Sequence, residues 1–141
     1  MSIQRPRNEA ESCERFVEMY ERPLSTVARS ISLRVLGHEW GVNGYTSLGQ
    51  ADALRAVLEA RAARAILEIG SGNGWPGQYV APSRDASIVL TDVPTAALRR
   101  AENPGPRRAT GSAVHACGAD AQHLPFRSEV FDAVIHSDVL C

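Results

Sequence analysis

The sequence contains no lysine: all 15 of its basic residues are arginine, and its 16 acidic residues bring the formal net charge to −1. The absence of lysine excludes a Walker A phosphate-binding loop, a Schiff-base lysine and a pyridoxal phosphate anchor. The near-neutral charge argues against nucleic acid or an anionic membrane as a partner. No apolar run approaches the roughly 20 residues that a membrane-spanning helix needs, so we expect no membrane partner.

Cysteine is also scarce. The three cysteines, Cys13, Cys117 and Cys141, are an odd number and form no C-x-x-C pair, which predicts reduced thiols. The first residues lack the apolar core of a signal peptide, and together these features predict a cytoplasmic location. His115, Cys117 and His123 are close in sequence, but their spacing fits no standard zinc ligand set, and we expect no metal.

The most informative segment is an apolar run that carries one carboxylate, Glu68, and then breaks into alternating glycines. The run has the length of a buried parallel strand. Gly70, Gly72 and Gly74, with Ser71 after the first, let the chain turn sharply and let a ligand lie against bare backbone. A helix that starts just after them would direct free N–H groups at that ligand. The segment therefore predicts a nucleotide-binding corner.

A nucleotide ligand needs a carboxylate for its ribose hydroxyls, at the end of the next strand and about 20 residues further on. Asp92 ends a second β-branched apolar run and lies 22 residues after Gly70 and 20 after Gly72. Asp92, followed by Val93, is therefore the predicted ribose-binding position. The alternative role for Asp92 is that of an acid at the N-terminus of a helix that begins near Thr95.

The glycines alone do not identify the nucleotide that binds, because residues 72–77 also match the G-x-G-x-x-G fingerprint of NAD or FAD sites. Glu68 favours another adenosyl ligand, S-adenosylmethionine, because a dinucleotide-dependent dehydrogenase normally has an apolar residue at this point of the strand. The Glu68 carboxylate can organise the glycine loop and lie near the amino group of a cationic ligand. The alternative is a strand-end acid bonded to loop amides, and both roles can hold together.

From about Ile66 to Leu140, four motifs in order, among them the strand-end Asp92, together resemble the class I S-adenosylmethionine-dependent methyltransferases. The glycine corner is similar to their motif I, residues 118–126 resemble their D-A-x-x-L-P-F loop after strand three, and residues 131–140 resemble the F-D-x-V-x-x-x-x-V-L strand-four signature of type 11 methyltransferases. The resemblance implies S-adenosylmethionine as cofactor. It also implies that Asp120 accepts from the adenine amino group and that the N–H of Ala121 meets the ring. The alternative for Asp120 is an Asx turn.

In this family the end of strand four faces the methyl group, so the resemblance makes His136 and Asp138 the candidate catalytic residues, with His136 also near the cofactor. Either can serve as general base if the acceptor is a hydroxyl or an amine. Many relatives have a histidine at the position of Asp138, and the alternative for His136 is a polar residue that caps the strand. In the upstream loop, Tyr45 or Trp40 can lie at the methionine end, although core packing is the favoured role for Trp40.

Alternating strands and helices predict an α/β, Rossmann-like doubly wound parallel sheet, the N-terminal half of the class I methyltransferase fold, preceded by helices. The predicted helices cover residues 9–21, 24–36, 48–58, 75–81 and 95–102, and the predicted strands cover residues 65–69, 87–91, 113–117 and 131–139. Residues 1–47 are predicted to form an N-terminal helical flank or lid. Residues 48–141 are predicted to form the S-adenosylmethionine-binding core, incomplete at its C-terminus.

The helices upstream of the glycine corner are amphipathic. Ser47 and Gln50 match the capping-box pattern that opens a helix, and Val57 lies on the apolar face of that helix. In the preceding helix, apolar spacing places Val27, Ile31 and Val35 together, at positions four residues apart.

The sequence thus predicts a methyltransferase that transfers a methyl group from S-adenosylmethionine to a small-molecule acceptor. The alternatives are a non-catalytic cofactor-binding fragment or module that needs a partner chain, and an NAD-type oxidoreductase, which leaves Glu68 and Asp120 unexplained. Because the chain stops at the end of strand four, we expect that strand to be an open edge, with self-association and poor methyl transfer. The residues expected to lose cover are Val134, Ile135, Val139 and Leu140.

Overall fold

The computed structural model describes residues 9–22, 25–36, 44–81, 84–102, 112–137 and 139. Three helices precede an alternation of strands and short helices. In chain order, the elements are α1 (Glu9–Glu21), α2 (Thr26–Leu36), α3 (Leu48–Ala60), β1 (Ala65–Ile69), α4 (Gly77–Val80), β2 (Ser87–Asp92), α5 (Thr95–Glu102), β3 (Ala113–Gly118) and β4 (Ala133–His136). None of the helices described is long and apolar enough to cross a membrane.

The four strands form one parallel sheet in the order β3-β2-β1-β4. Glu68 of β1 lies between Leu90 of β2 and Ile135 of β4, and Ile69 pairs with His136. Because the strands are parallel, their carboxyl ends meet at one edge of the sheet, which is where ligands bind in open α/β sheets. The predicted Rossmann-like parallel sheet is confirmed.

One face of the sheet carries the core. Ile66, Ile88 and Leu90 are fully buried there and form one cluster with residues of α3, α4 and α5. The helical residues of this cluster are Ala51, Leu58, Val80, Leu98 and Ala101. Removing these apolar side chains from water stabilises the contact between sheet and helices.

α3 begins where the sequence predicts. The Ser47 hydroxyl accepts from the N–H of Gln50 (3.3 Å), and the Gln50 side chain accepts from the N–H of Ser47 (2.8 Å), which satisfies two N–H groups of the first turn. The helix buries Ala51 and Leu58, whereas Val57 is 51% exposed. Val57 precedes Leu58 by one residue, so it points about 100° away from the buried stripe.

The two N-terminal helices pack differently. α1 covers the residues predicted and packs against α5. α2 begins at Thr26, and the preceding Pro23 lies outside the described residues. The face that Val27, Ile31 and Val35 share is exposed, at 68%, 57% and 68%. Apolar spacing identifies a common face, but only a neighbouring element can bury it.

α4 is shorter than predicted and covers Gly77–Val80. Pro76 is its N-cap, and the Pro76 carbonyl accepts from the N–H groups of Tyr79 (2.8 Å) and Val80 (3.1 Å), after the bond from the Gln78 N–H to the Gly74 carbonyl of the turn (2.9 Å). The glycine turn therefore continues through Trp75 and delays the helix, which is why the predicted start was wrong.

β4 is also shorter than predicted and covers Ala133–His136. Directly before it, Asp132 holds the chain against the start of β1. The Asp132 carboxylate accepts from the N–H groups of Arg64 and Ala65, both at 2.8 Å, and the Asp132 N–H donates to the Ala65 carbonyl (2.7 Å). The bond from Ala65, followed by that from Arg64, lowers the pKa of Asp132. The aspartate of the strand-four signature thus joins the segment before β4 to the start of β1.

β4 is the edge strand beside β1 in the described part of the chain. Val134 is 56% exposed, as expected of an open edge. Ile135 is only 7% exposed, because it faces the helices as part of the core, and the expectation that it loses cover is wrong. Val139 packs against Gly70, and Leu140 lies outside the described residues.

Candidate functional site

The glycine corner, which is the glycine turn formed by residues 70–74, begins where β1 ends. Gly70, Gly72 and Gly74 have φ values of 67°, 51° and 92°, in the left-handed region that glycine adopts without strain. The N–H of Ser71 donates to the Thr91 carbonyl near the end of β2 (3.0 Å), and the N–H of Gly74 donates to the Ser71 carbonyl (2.8 Å). The corner is therefore a compact turn that is bonded to the neighbouring strand.

Other parts of the chain lie over two of these glycines. A Cβ atom at Gly70 would collide with Cγ2 of Val139, and a Cβ at Gly72 would lie 2.6 Å from the hydroxyl oxygen of Tyr20 in α1. Only glycine leaves room for both neighbours, and α1 therefore reaches the corner. No sequence pattern links Tyr20 to Gly72, since the two are 52 residues apart.

Gly74 makes room for a link between two helices. A Cβ there would collide with Nε2 of Gln78 and lie 3.1 Å from Cβ of Ala101. The buried Gln78 side chain donates to the Ala101 carbonyl of α5 (2.7 Å). The third glycine thus allows α4 to be fixed against α5, which holds the corner at the edge of the sheet.

Asp92 ends β2 beside the corner. Its Oδ2 accepts from the N–H of Gly72 (2.7 Å), and its Oδ1 accepts from the N–H of Val93, a residue that is 44% exposed. Burial raises the pKa of Asp92, although the two amide hydrogen bonds act in the opposite direction. Each carboxylate oxygen has two lone-pair positions, so each retains one for a further donor. The half-buried carboxylate can therefore bind a pair of hydroxyl groups.

Glu68 lies beneath the corner and is 1% exposed. Its Oε1 accepts from the N–H of Gly77 (3.2 Å), which ties the strand to the start of α4. Burial outweighs this bond and raises the pKa of Glu68 to about 8, and the charge of Asp92 adds to the rise. At neutral pH the side chain is therefore mostly protonated. Gly77 is required here, because a Cβ would collide with Oε2 of Glu68.

Three buried polar atoms of the corner have no hydrogen-bond partner within the described residues: Oε2 of Glu68, Oγ of Ser71 and Oε1 of Gln78. Buried polar atoms are normally hydrogen-bonded, so such exceptions need an explanation. The Ser71 hydroxyl lies in the turn itself, between two of the glycines. A polar ligand seated in the corner would supply a partner for it, and the residues present therefore fit a nucleoside cofactor.

The loop after β3 starts beside Asp92, since the N–H of Ala119 donates to the Asp92 carbonyl (3.1 Å). Asp120 follows and forms an Asx turn, in which its Oδ1 accepts from the N–H of Gln122 (2.9 Å). This is the alternative role expected for Asp120, and its other carboxylate oxygen, Oδ2, lies 3.9 Å from Nδ1 of His123. Ala121 is exposed as well. The adenine contacts of Asp120 and Ala121 stay a prediction.

The candidate catalytic residues are only partly described. His136 is exposed and ends β4 at the same sheet edge, paired with Ile69 directly before Gly70. Asp138 lies outside the described residues, as does Trp40. Tyr45 is 90% exposed.

In the part of the chain that the structure describes, no group of three or more histidine, cysteine or acidic residues could hold a metal ion.

The segment before α3 is anchored to the corner by a residue that sequence reasoning missed. Nε1 of Trp75 donates to the Thr46 carbonyl (3.0 Å). The centroids of the Trp75 and Tyr79 rings lie 5.4 Å apart. Trp75 is 7% exposed and belongs to the core. The upstream segment is therefore held beside the glycine turn, although its pattern alone gives no partner for the carbonyl.

A family model described as a methyltransferase domain matches residues 67–141. The match covers more than half of the chain and includes the glycine corner, the end of β2, the loop after β3 and β4. The chain therefore belongs to this methyltransferase family. The resemblance to class I S-adenosylmethionine-dependent methyltransferases is confirmed. No curated protein sequence matches the chain significantly.

Solved structures share the fold. An O-methyltransferase from Bacillus cereus in complex with S-adenosylhomocysteine is 19% identical, with a TM-score of 0.58 over 87% of this chain and 54% of that chain. The O-methyltransferase TomG from Streptomyces achromogenes, in complex with S-adenosylmethionine, is 20% identical, with a TM-score of 0.57 over 92% of this chain and 62% of that chain.

The [4+2]-cyclase SpnF is also similar, at 20% identity and a TM-score of 0.58 over 86% of this chain and 47% of that chain. The chain thus spans about half the length of these three structures. At such identities the likeness establishes the fold.

Proposed function

We propose that the chain carries the cofactor-binding core of an S-adenosylmethionine-dependent methyltransferase that acts on a small-molecule acceptor. Membership of the methyltransferase family supports the reaction class. The arrangement at the carboxyl edge of the sheet supports the position of the cofactor. In this proposal residues 48–141 form the core, and residues 1–47 form a flank or lid that packs on it through α1.

The carboxylate of Asp92 is the observation that carries the proposal. It lies against the glycine turn, bonded to the N–H of Gly72 (2.7 Å), and each of its oxygens retains one acceptor position. A ribose offers two neighbouring hydroxyl donors, which match these two positions. The amino-acid part of the cofactor then lies along the glycine turn, where the Ser71 hydroxyl gains a partner.

The adenine end of the cofactor is assigned to the loop after β3. The hydrogen bond from Ala119 to the Asp92 carbonyl (3.1 Å) holds the start of this loop beside the ribose position. The Asx turn fixes Oδ1 of Asp120, and its exposed Oδ2, which lies 3.9 Å from Nδ1 of His123, is assigned to the adenine amino group. The N–H of Ala121 is assigned to the ring.

The bound cofactor supplies a methyl group on a positively charged sulfur: the sulfur–carbon bond breaks as the acceptor forms its bond to that carbon, and the acceptor gives its proton to a base or to solvent. The chain mainly has to position the two reactants and exclude water. His136 ends β4 at the same sheet edge as Gly70 and can take this proton from a hydroxyl or an amine. Asp138, two residues on, is the second candidate.

The kind of partner follows from charge and composition. A net charge of −1 offers no attraction for polyanions, which supports a small-molecule acceptor rather than nucleic acid. Cys117 is a free thiol in β3, and reduced thiols fit the proposed cytoplasmic location.

We also propose that the 141-residue chain self-associates through β4. This strand pairs with β1 on one side, and its Val134 is 56% exposed in the described structure. Exposed apolar edges pair with other chains, and a charge at the edge prevents this. Light scattering should therefore detect oligomers of the wild-type chain and a monomer after Val134→Lys. A wild-type monomer would contradict the proposal.

A second candidate function is cofactor binding without methyl transfer. The observation behind it is that SpnF, which shares the fold, is described as a [4+2]-cyclase. The same fold therefore hosts a different reaction. Binding of the cofactor with no transfer of a labelled methyl group to any acceptor tested would favour this candidate.

Calorimetry with S-adenosylhomocysteine and with NAD tests the proposal. We expect saturable binding of the first and none of the second, and we expect Asp85→Ala to leave this binding unchanged, because Asp85 is exposed just before β2, at the opposite edge of the sheet. Binding of NAD in preference to S-adenosylhomocysteine would contradict the assignment and revive the oxidoreductase alternative.

A further inference from the structure

One residue of α1, Tyr20, reaches the glycine corner. A Cβ at Gly72 would lie 2.6 Å from the Tyr20 hydroxyl oxygen and 3.3 Å from its Cζ, so the ring directs its hydroxyl at the glycine. The N–H of the same glycine donates to Asp92 (2.7 Å). The tyrosine hydroxyl and the aspartate carboxylate therefore approach a single residue of the turn.

A second contact holds α1 in this position. Nη2 of Arg100 in α5 donates to the carbonyl of Arg22 (3.1 Å), directly after the end of α1. α1 also packs against α5. Tyr20 precedes that carbonyl by two residues. The bond from Arg100 thus fixes the end of the helix from which the tyrosine projects.

We propose that Tyr20 is a cofactor-binding residue, whose hydroxyl contacts the amino-acid group of S-adenosylmethionine. The inference rests on the proposed function, in which that group lies along the glycine turn and the ribose lies at Asp92. A tyrosine hydroxyl can donate to a carboxylate and accept from an ammonium group, so it suits either charged end of the amino-acid group. α1 then supplies a ligand contact as well as a cover for the core.

Two ligands separate this role from a merely structural one. S-adenosylhomocysteine carries the amino-acid group, whereas 5′-methylthioadenosine has the same adenine, ribose and sulfur but lacks that group. For Tyr20→Phe, calorimetry should give a dissociation constant roughly ten- to a hundredfold higher for S-adenosylhomocysteine, as expected for one lost hydrogen bond to a charged group. The dissociation constant for 5′-methylthioadenosine should not change.

Tyr79→Phe is the matched control. The Tyr79 hydroxyl donates to Asp52 of α3, and no cofactor contact is assigned to it, so its loss should leave the affinities for both ligands unchanged. Tyr20→Phe keeps the ring that covers Gly72, and its melting temperature is measured beside the affinities so that a loss of stability is separated from the loss of a ligand contact. A change in affinity without a change in stability identifies a ligand contact.

Three results would overturn the inference. Equal affinity of Tyr20→Phe and wild type for S-adenosylhomocysteine would show that the hydroxyl makes no contact with the cofactor. Tighter binding by the variant would show that Tyr20 hinders cofactor binding. Equal weakening for both ligands would place the hydroxyl at the nucleoside instead. If the wild-type chain binds neither ligand, the proposed function itself fails, which the two-ligand titration distinguishes from a failure of Tyr20 alone.

Discussion

Two aspartates, at opposite edges of the parallel sheet, each accept two backbone N–H groups, yet their environments differ. Asp92 ends β2 at the carboxyl edge and is half-buried against the glycine turn, so burial raises its pKa. Asp132 precedes β4 at the amino edge and is exposed, so its bonds to the start of β1 dominate and lower its pKa. The same pattern of two backbone hydrogen bonds thus accompanies a raised pKa at Asp92 and a lowered pKa at Asp132.

The comparison separates a ligand site from a scaffold contact. A pair of amide bonds does not by itself identify a functional carboxylate, because both aspartates have one. The carboxyl edge adds partial burial, a glycine turn and a buried Ser71 hydroxyl with no partner in the described chain. These features occur together at Asp92, and Asp132 instead joins β1 to β4.

The largest effect is expected on the free energy of unfolding, for a substitution at Gly77, which lies beneath the carboxyl edge of the sheet. In Gly77→Ala the new Cβ would collide with Oε2 of Glu68 and lie 2.9 Å from Cδ1 of Ile88. Overpacking typically costs about 1–3 kcal/mol, and because both neighbours are buried, the free energy of unfolding should fall by about 3 kcal/mol, the upper end of that range. Urea denaturation measures it, with Gly49→Ala as the control, since nothing lies within 4 Å of a Cβ there. Equal stability of the two variants would contradict this packing.

The next effect concerns Asp92 itself. Asp92→Ala removes a charged acceptor from the proposed ribose contact, which typically costs about 1.5–3 kcal/mol of binding free energy. The dissociation constant for S-adenosylhomocysteine should therefore rise roughly ten- to a hundredfold. Calorimetry on the folded variant measures it, beside Asp132→Ala as the scaffold counterpart. Normal binding by a folded Asp92→Ala chain would show that the ribose lies elsewhere.

A third effect is a pH dependence from Glu68. Its pKa is about 8 in the folded chain against an ordinary 4.5, so between these values the unfolded chain releases a proton that the folded chain keeps. Stability should therefore fall as pH rises through this window, by at most about 1.4 kcal/mol per pH unit. Glu68→Gln should flatten that slope, and the exposed Glu59→Gln should not. Parallel stability profiles of wild type and Glu68→Gln from pH 5 to 8 would refute this.

The smallest effect is expected at the amino edge. The pKa of Asp132 is lowered in the folded chain, so its stabilising bonds are fully present above the ordinary aspartate pKa of 3.8 and are lost as pH falls through the lower, folded value. Asp132→Asn should lower the urea midpoint slightly at pH 7 and leave cofactor affinity unchanged. At sufficiently low pH the two chains should converge. A loss of affinity without a loss of stability would contradict the scaffold role.

Much of the carboxyl edge could be predicted from sequence because its signals are local. The strand before Gly70, the glycine turn and the strand-end Asp92 all lie within about 30 residues, and each follows from period, turn chemistry or spacing. The Ser47–Gln50 capping box is local as well, and it set the start of α3 correctly.

The contacts that sequence reasoning missed join distant segments. Tyr20 meets Gly72, and Asp132 meets the start of β1 across 67 residues. No periodicity encodes such pairs, because packing decides them after the elements have formed. The exposure of Val27 and its neighbours on α2 has the same cause, since spacing cannot tell whether another element covers a face.

A crystal structure of the protein with S-adenosylhomocysteine tests most directly the central claim, that the carboxyl edge of the sheet is the cofactor site. The account predicts both ribose hydroxyls within hydrogen-bond distance of the Asp92 carboxylate, the amino-acid group along the turn from Gly70 to Gly74, and no ligand atom near Asp132. A nucleoside bound away from Asp92, with the glycine turn empty, would contradict it.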